Sequence, residues 1–196
     1  MRYTSSITAG SLKVAESRVI AGLLLRGLEQ KDFQQAVSRE NVLQTRSKHT
    51  SQSLANLIRR RLQHLDAAML TLVRDGSLVE ATHACLAAAV MDSALLGDFL
   101  DLIMRPLYRT FKEVLPMSAW RDYLEDCRGR DPEMPAWSEE TTDRLRSSVF
   151  KTLAEAGYID STKARRLQKV HVVRPVLKYL EAHDNTYVLR CLEVAS

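Results

Sequence analysis

The chain has 196 residues, of which 45% are hydrophobic and 27% charged, the balance of a globular protein with one medium core or two small ones. Seven glycines and five prolines are few for this length and favour helix over sheet. Three separate cysteines without a CxxC pair argue against a disulfide framework or a zinc site, and they indicate a reducing, cytoplasmic setting. No apolar run approaches the roughly 20 residues of a spanning helix, so we expect no membrane span.

The formal net charge is +4, but the charges are unevenly distributed along the chain. Residues 1–66 carry 11 basic and 5 acidic side chains, residues 67–142 carry 7 and 13, and residues 143–196 carry 10 and 6. Two basic ends therefore flank an acidic middle. Basic ends favour a polyanionic partner and an acidic middle favours a protein partner, although chance segregation over a solvated surface gives the same pattern.

The N-terminal third is predicted to form three helices separated by polar turns. Ser11 is the predicted N-cap of the first helix, whose apolar stripe ends at Gly27. A short second helix spans 32–39 and is followed by a break at Asn41. The third helix spans 50–65. This order of short helix, turn and longer helix is that of a helix-turn-helix, with a turn longer than the usual three or four residues.

Further helices follow from apolar spacing, capping residues and turn signals. They are predicted over 67–74, over 77–89, from Ser93 through Ile103, from Ser118, and from Ser138 to Gly157, with Pro106 either kinking the third of these or lying in the first turn of the next piece.

The tail departs from this helical pattern. Residues 158–160 are β-prone, 161–168 form a basic turn, and 169–173 alternate with β-branched side chains as a strand does. A helix over 174–182 follows. The predicted fold is mainly α, with two small helix-turn-helix-like modules, the C-terminal one carrying a short β-hairpin wing. The predicted domains are 1–66 and 67–196.

Motifs that carry catalytic chemistry are absent from the sequence. It contains no HExxH, no GxSxG, no glycine-rich phosphate loop and no dinucleotide fingerprint. The five histidines show no metal-ligand spacing. We therefore predict a protein that is not an enzyme, with no cofactor, no metal and no small-molecule substrate.

A helical wheel divides the third helix into two faces. The apolar face carries Leu54, Leu57, Ile58, Leu62 and Leu65. The opposite face carries Gln52, Asn56, Arg59 and Gln63, with Arg60 beside it. Asn and Gln pair with adenine edges and Arg pairs with guanine, so this face is suited to reading bases. Arg61 falls on the apolar face and is predicted to be structural.

In a helix-turn-helix, the second helix enters the major groove by its N-terminal part. The predicted DNA-binding residues here are Arg46, Lys48, Thr50, Ser51, Gln52, Asn56, Arg59, Arg60 and Gln63. The tail adds the basic residues Lys163, Arg165, Arg166 and Lys169. As a wing, the tail would contact phosphate or minor groove; as a plain loop, it would contact nothing. The alternative for this face of the third helix is an ordinary solvent-exposed surface that binds nothing.

Four stretches together span nearly the whole chain: AGSLKVAESRVIAGLLLRG, NVLQTRSKHT, the helix around LLGDFL, and TLAEAGYID. These stretches resemble the BrxA family of the bacterial BREX phage-defence systems. The pattern NxLQxRSxxT, formed by Asn41, Leu43, Gln44, Arg46, Ser47 and Thr50, is the most specific of them.

The resemblance implies a mainly helical protein with two helix-turn-helix-like modules, a likeness to the antitermination factor NusB, and binding to double-stranded DNA. It also implies neighbours in the same defence system, among them an ATPase, an adenine methyltransferase, a phosphatase-like protein and a Lon-like protease. It supplies no catalytic residues. Two alternatives stay open: RNA binding through the NusB-like fold, and a protein-interaction adaptor that uses the acidic middle, residues 67–142.

Overall fold

The structure, a computed structural model, describes residues 2–194 and is mainly helical, as predicted. It divides into two compact units. The N-terminal unit comprises residues 12–92, and the C-terminal unit comprises 93–194 together with the described residues up to Ser11. The boundary predicted at residue 66 lies inside the N-terminal unit.

Five helices make up the N-terminal unit. They are α1 (Val14–Leu25), α2 (Gln30–Ser38), α3 (Lys48–Leu62), α4 (Ala67–Asp75) and α5 (Leu78–Asp92). Helix α5 is the central one, because the ten residues 81–90 are all buried. Five of these ten are alanines, whose small side chains let α1, α3 and α4 pack closely against it.

Side-chain caps set several helix boundaries in this unit. The Asp66 carboxylate accepts a hydrogen bond from the Met69 amide and begins α4. Ser77 and Glu80 form a reciprocal capping box at the start of α5, with the Ser77 amide donating to Glu80 at 2.8 Å. Gly27, at φ 63°, adopts the left-handed conformation just after α1, as expected of a glycine stop.

The C-terminal unit begins with a 3₁₀ turn and continues with shorter helices. Its elements are the turn Ser6–Ala9, α6 (Ala94–Phe99), a π-helical segment (Leu100–Met104), α7 (Arg105–Arg109), α8 (Ser118–Arg130), α9 (Glu139–Glu155), α10 (Arg174–Ala182) and α11 (Thr186–Leu192). Pro106 lies in the first turn of α7, directly after the π segment, as one of the two sequence predictions for this proline had it. Phe99, Trp120, Tyr123 and Phe150 form an aromatic core with ring centroids 5.2 to 6.1 Å apart.

The chain start is held in this unit by the buried carboxylate of Asp98. Its oxygens accept hydrogen bonds from the hydroxyls of Tyr3 and Tyr187, both at 2.6 Å, and pair with the Arg2 guanidinium at 2.9 Å. Burial and the bond to Asp98 raise the pKa of both tyrosines. A side chain at Gly97 would displace the Tyr187 hydroxyl, because a Cβ at that position would overlap it.

One predicted cap, one predicted helix start and one helix differ from the structure. Ser11 does not cap α1, because this helix begins after Lys13. The Ser11 hydroxyl donates instead to the Glu155 carboxylate at 2.7 Å. The third helix begins at Lys48 rather than Thr50, because Ser47 is its N-cap. Helix α11 was not predicted from the sequence.

The predicted β-hairpin wing is wrong. Across residues 2–194 the only β-pairing consists of two isolated bridges, Val114 with Arg166 and Ile159 with Leu167. The segment pairs on two sides: the Leu167 amide donates to the Glu113 carbonyl of a distant loop, and the Asp160 and Gln168 amides donate to the Arg166 and Tyr158 carbonyls. Residues 169–173, predicted as a strand, run without regular structure to Arg174, where α10 begins. None of the helices described is long and apolar enough to cross a membrane.

Candidate nucleic-acid interface

Helices α2 and α3 pack against each other across a nine-residue turn, 39–47, in the helix-turn-helix order that the sequence predicted. The turn is tightly folded, because Asn41 and Gln44 both adopt left-handed backbone conformations, at φ 49° and 50°. Asparagine tolerates this conformation better than most residues. The turn therefore has a defined backbone conformation rather than that of a flexible linker.

Most of the NxLQxRSxxT pattern builds this turn. The Asn41 side chain bonds the Thr45 backbone twice, as acceptor from the amide and as donor to the carbonyl, both at 3.0 Å. The Leu43 side chain is buried and anchors the turn to the unit. The most specific residues of the resemblance thus have a structural explanation, whereas Arg46 is left exposed.

The N-terminus of α3 is closed by Ser47. Its hydroxyl accepts the Thr50 amide at 3.1 Å and lies 2.8 Å from the Thr50 hydroxyl. The predicted site residue Thr50 is exposed but is engaged in this cap.

We expect Ser47→Ala to destabilise the start of α3 by about 1 kcal/mol, because the Thr50 amide loses its acceptor. The readout is amide hydrogen exchange, which should accelerate several-fold in the first turn of α3. Ser53→Ala, an exposed serine further along the helix, is the matched control. Equal exchange in both variants would contradict the assigned cap.

One predicted site residue belongs to the packed face of α3 instead. Ser51 is 1% exposed, and its hydroxyl donates to the Val37 carbonyl of α2 at 2.9 Å. It joins the two helices and cannot reach a ligand in the major groove. Arg61 is also buried, as the wheel predicted.

The outer face of α3 carries exposed amide side chains. Gln52, Asn56 and Gln63 are all exposed, and Gln52 donates to the Ser38 hydroxyl at 3.0 Å. Arg46 and Lys48 are exposed beside the first turn. Between α2 and α3, Gln52 and Asn56 help line a hollow of about 190 Å³. These side chains form one polar, acid-free strip, which we call the α3 strip: Arg46, Lys48, Gln52, Asn56 and Gln63.

The two predicted arginines beside this strip are held by other side chains. The Arg59 guanidinium lies 4.6 Å from the Phe33 ring centre and bonds Gln30 of α2. Arg60 makes a two-pronged ion pair with Asp92, at 2.7 and 2.9 Å. This pairing raises the pKa of Arg60 and offsets its charge. Neither arginine is presented to solvent as freely as the wheel predicted.

Removing the Arg60 guanidinium should therefore cost stability. In Arg60→Ala the Asp92 carboxylate, whose side chain is only 6% exposed, loses its main partner, and we expect a loss of about 2 kcal/mol. Urea denaturation followed by circular dichroism measures it, with Arg39→Ala on the exposed end of α2 as control. Equal unfolding midpoints would show that the ion pair contributes nothing.

The basic residues of the tail lie in the C-terminal unit. Lys163, Arg166 and Lys169 are exposed, as a phosphate-binding turn requires. Arg165 is instead used within the loop: its backbone is left-handed, and its guanidinium donates to the carbonyls of Leu115 and Lys163. Sequence reasoning missed Arg109 and Lys112, which line one hollow with Arg166 and Lys169.

Residues 2–194 contain no group of three or more His, Cys, Asp or Glu side chains that could hold a metal ion. The three cysteines are buried free thiols. Burial raises the pKa of Cys127 and of Cys191, which disfavours their reactive thiolate forms.

Comparison with known proteins gives a consistent result over the whole chain. A family model described as BrxA matches residues 1–184. BREX protein BrxA of Paramagnetospirillum magneticum is 44% identical over 194 residues, which cover 99% of this chain and 98% of that protein. BREX protein BrxA of Escherichia coli O9:H4 is 32% identical over 190 residues, which cover 95% and 89%.

Among solved structures, the crystal structure of an uncharacterized protein from Magnetospirillum magneticum is similar to this chain, with a TM-score of 0.92 at 43% identity. The match covers 99% of this chain and all of that one. The family model and the relatives name the same family, and the solved structure matches the chain over nearly its full length. The chain therefore belongs to the BrxA family of BREX proteins.

Proposed function

We propose that this chain is a non-enzymatic component of a BREX phage-defence system and that it binds double-stranded DNA through the α3 strip. The observation that carries the proposal is the strip itself: five exposed basic or amide side chains on and beside α3, with no acid among them. A second helix presented across a turn is the arrangement that places such side chains in a major groove.

The strip supplies two kinds of contact. Arg46 and Lys48 are exposed beside the first turn of α3, where the positive end of the helix favours phosphate, and they would fix the position of the duplex. Gln52 and Asn56 lie further along the same side and carry the paired donors and acceptors that match adenine. Arg59 and Arg60 are left to their structural roles. Lys163, Arg166 and Lys169 are further candidates for phosphate contact.

Two other interpretations belong with this proposal. Membership of a BREX system favours other components of that system as protein partners, such as its ATPase, methyltransferase or phosphatase-like protein. Structured RNA is the other candidate polyanion, through the NusB-like resemblance. The α3 strip holds no aromatic side chain on which an unpaired base could stack, which favours the duplex over single strands.

The test is a titration of labelled duplex DNA with the protein over a series of salt concentrations. Binding through several phosphates should weaken steeply as salt rises, with a log–log slope of about −0.9 for each phosphate contacted. Unlabelled duplex should compete better than an equal mass of structured RNA. Absence of binding at low salt would overturn the proposal, and better competition by RNA would favour the RNA interpretation instead.

A further inference from the structure

A hollow of about 690 Å³ opens in the C-terminal unit between the end of α7 and the basic turn. Its apolar lining is formed by Tyr108, Phe111, Val114, Leu167 and Val194. The volume is in the range of sites that enclose a small molecule or a large side chain. These five side chains suit an apolar group, while the other six lining residues are polar or charged.

Phe111 projects at the edge of this hollow. It is 91% exposed, whereas Phe33, Phe99 and Phe150 are at most 3% exposed. A large aromatic side chain so fully in water gains nothing from folding of this chain alone.

The backbone of Phe111 is also unusual. Its φ is 53°, and it follows α7 at the position where a helix normally ends on a left-handed glycine. The Lys112 amide donates to the Leu107 carbonyl and the Phe111 amide donates to the Tyr108 carbonyl, which is the full hydrogen-bond pattern of that terminus. Glycine would fit here without strain, yet the position carries a bulky side chain turned to solvent.

Basic side chains surround the hollow. Arg109, Lys112, Arg166 and Lys169 all line it and are all exposed, against one acid, Glu113. An apolar interior with a positive rim is complementary to a negatively charged segment that carries an apolar anchor.

We propose that this hollow is a docking site for an acidic segment of a partner protein, with one large apolar side chain inserted beside Phe111. The acids of the segment pair with Arg109, Lys112, Arg166 and Lys169, and the anchor is covered by Val114 and Leu167. The side chains of Val114, Leu167 and Val194 offer no donor or acceptor to the polar edges of a nucleobase, which favours an apolar side chain as the occupant. The site shares no residue with the α3 strip, but Arg166 and Lys169 are also candidates for phosphate contact, so Phe111→Gly rather than a charge variant separates docking from DNA binding.

The experiment uses the full-length protein and fluorescent peptides of alternating Glu and Asp with one central Trp or, as matched control, one central Ala. We expect the Trp peptide to bind about ten-fold more tightly than the Ala peptide. Phe111→Gly should weaken binding of the Trp peptide about ten-fold while keeping the fold, because glycine is at ease in the left-handed conformation.

Charge is tested with a matched pair of double variants. Lys112→Glu with Lys169→Glu should reduce binding of the Trp peptide by about ten-fold or more, whereas Arg121→Glu with Arg128→Glu on exposed positions of α8 should leave it unchanged. Duplex DNA titrations of Phe111→Gly should match the unmodified protein.

Several results would overturn the proposal. They are no binding of either peptide, equal affinity for the Trp and Ala peptides, or full binding by Phe111→Gly. Displacement of the Trp peptide by a single-stranded oligonucleotide that itself needs Phe111 would assign the hollow to nucleic acid. Self-association that disappears in Phe111→Gly, measured by sedimentation, would assign it to a second copy of the chain.

Discussion

Asp98→Ala is expected to destabilise the C-terminal unit by about 3 kcal/mol, because it leaves two inward-facing tyrosine hydroxyls without their acceptor. Tyr3 is fully buried and its hydroxyl cannot turn to water. The Arg2 guanidinium is about half exposed and can turn to solvent, so it adds little to the cost. The chain start, held here through Tyr3, should become the first part of the unit to open.

Tryptophan fluorescence during urea unfolding measures this effect selectively. Both tryptophans, Trp120 and Trp137, belong to the C-terminal unit, so their signal reports on that unit and not on residues 12–92. Asp122→Ala, an exposed aspartate on α8, is the matched control and should change stability by no more than about 0.5 kcal/mol.

A double-mutant cycle sharpens the assignment. Tyr187→Phe removes one of the two hydroxyls, so adding it to Asp98→Ala should cost less than the sum of the single variants. Strict additivity would show that the 2.6 Å hydrogen bond between Tyr187 and Asp98 carries no coupling and would contradict the role assigned to this cluster.

The second large effect concerns DNA. Arg46→Glu with Lys48→Glu should weaken duplex binding by about 100-fold at low salt, because attraction to two phosphates is replaced by repulsion. Fluorescence anisotropy with a labelled duplex measures the change. Both residues are exposed, and neither takes part in the turn bonds of Asn41 or the cap of Ser47, so the fold should be retained.

The matched control makes the same change in net charge away from the strip. Arg128→Glu with Lys178→Glu reverses two exposed basic residues on α8 and α10. If that variant is weakened as much as the strip variant, binding depends on net charge alone and the α3 strip has no special role.

Helical periodicity predicted the two faces of α3 correctly. It separated the buried face from the exposed face and placed Arg61 inside, because one face of a helix in a globular unit must be apolar. The same wheel puts Ser51 at about 60°, within the apolar arc, so its burial could have been predicted from the sequence.

Contacts between distant residues could not be predicted in this way. Asp92 stands 32 residues after Arg60, and Gln30 stands 29 residues before Arg59. These contacts become visible only from the packing of α2 and α5 on α3, which brings Gln30 to Arg59 and Asp92 to Arg60.

The prediction of a β-hairpin wing was wrong for a related reason, because strand pairing also depends on distant residues. The alternation over 169–173 is typical of a strand, but the predicted partner segment 158–160 is paired with 166–168 instead, and residues 165–167 also pair with the 113–115 loop. The hollow beside Phe111 was missed because it joins residues more than 50 positions apart, although a phenylalanine between Arg109 and Lys112 was a visible local signal.

The most direct test of DNA binding through the α3 strip is the salt dependence of duplex affinity for the unmodified protein and for Arg46→Glu with Lys48→Glu. We predict a steep slope for the unmodified protein and a slope shallower by about two for the variant, because two fewer phosphates are neutralised. Identical slopes and affinities for the two proteins would contradict this mode of binding.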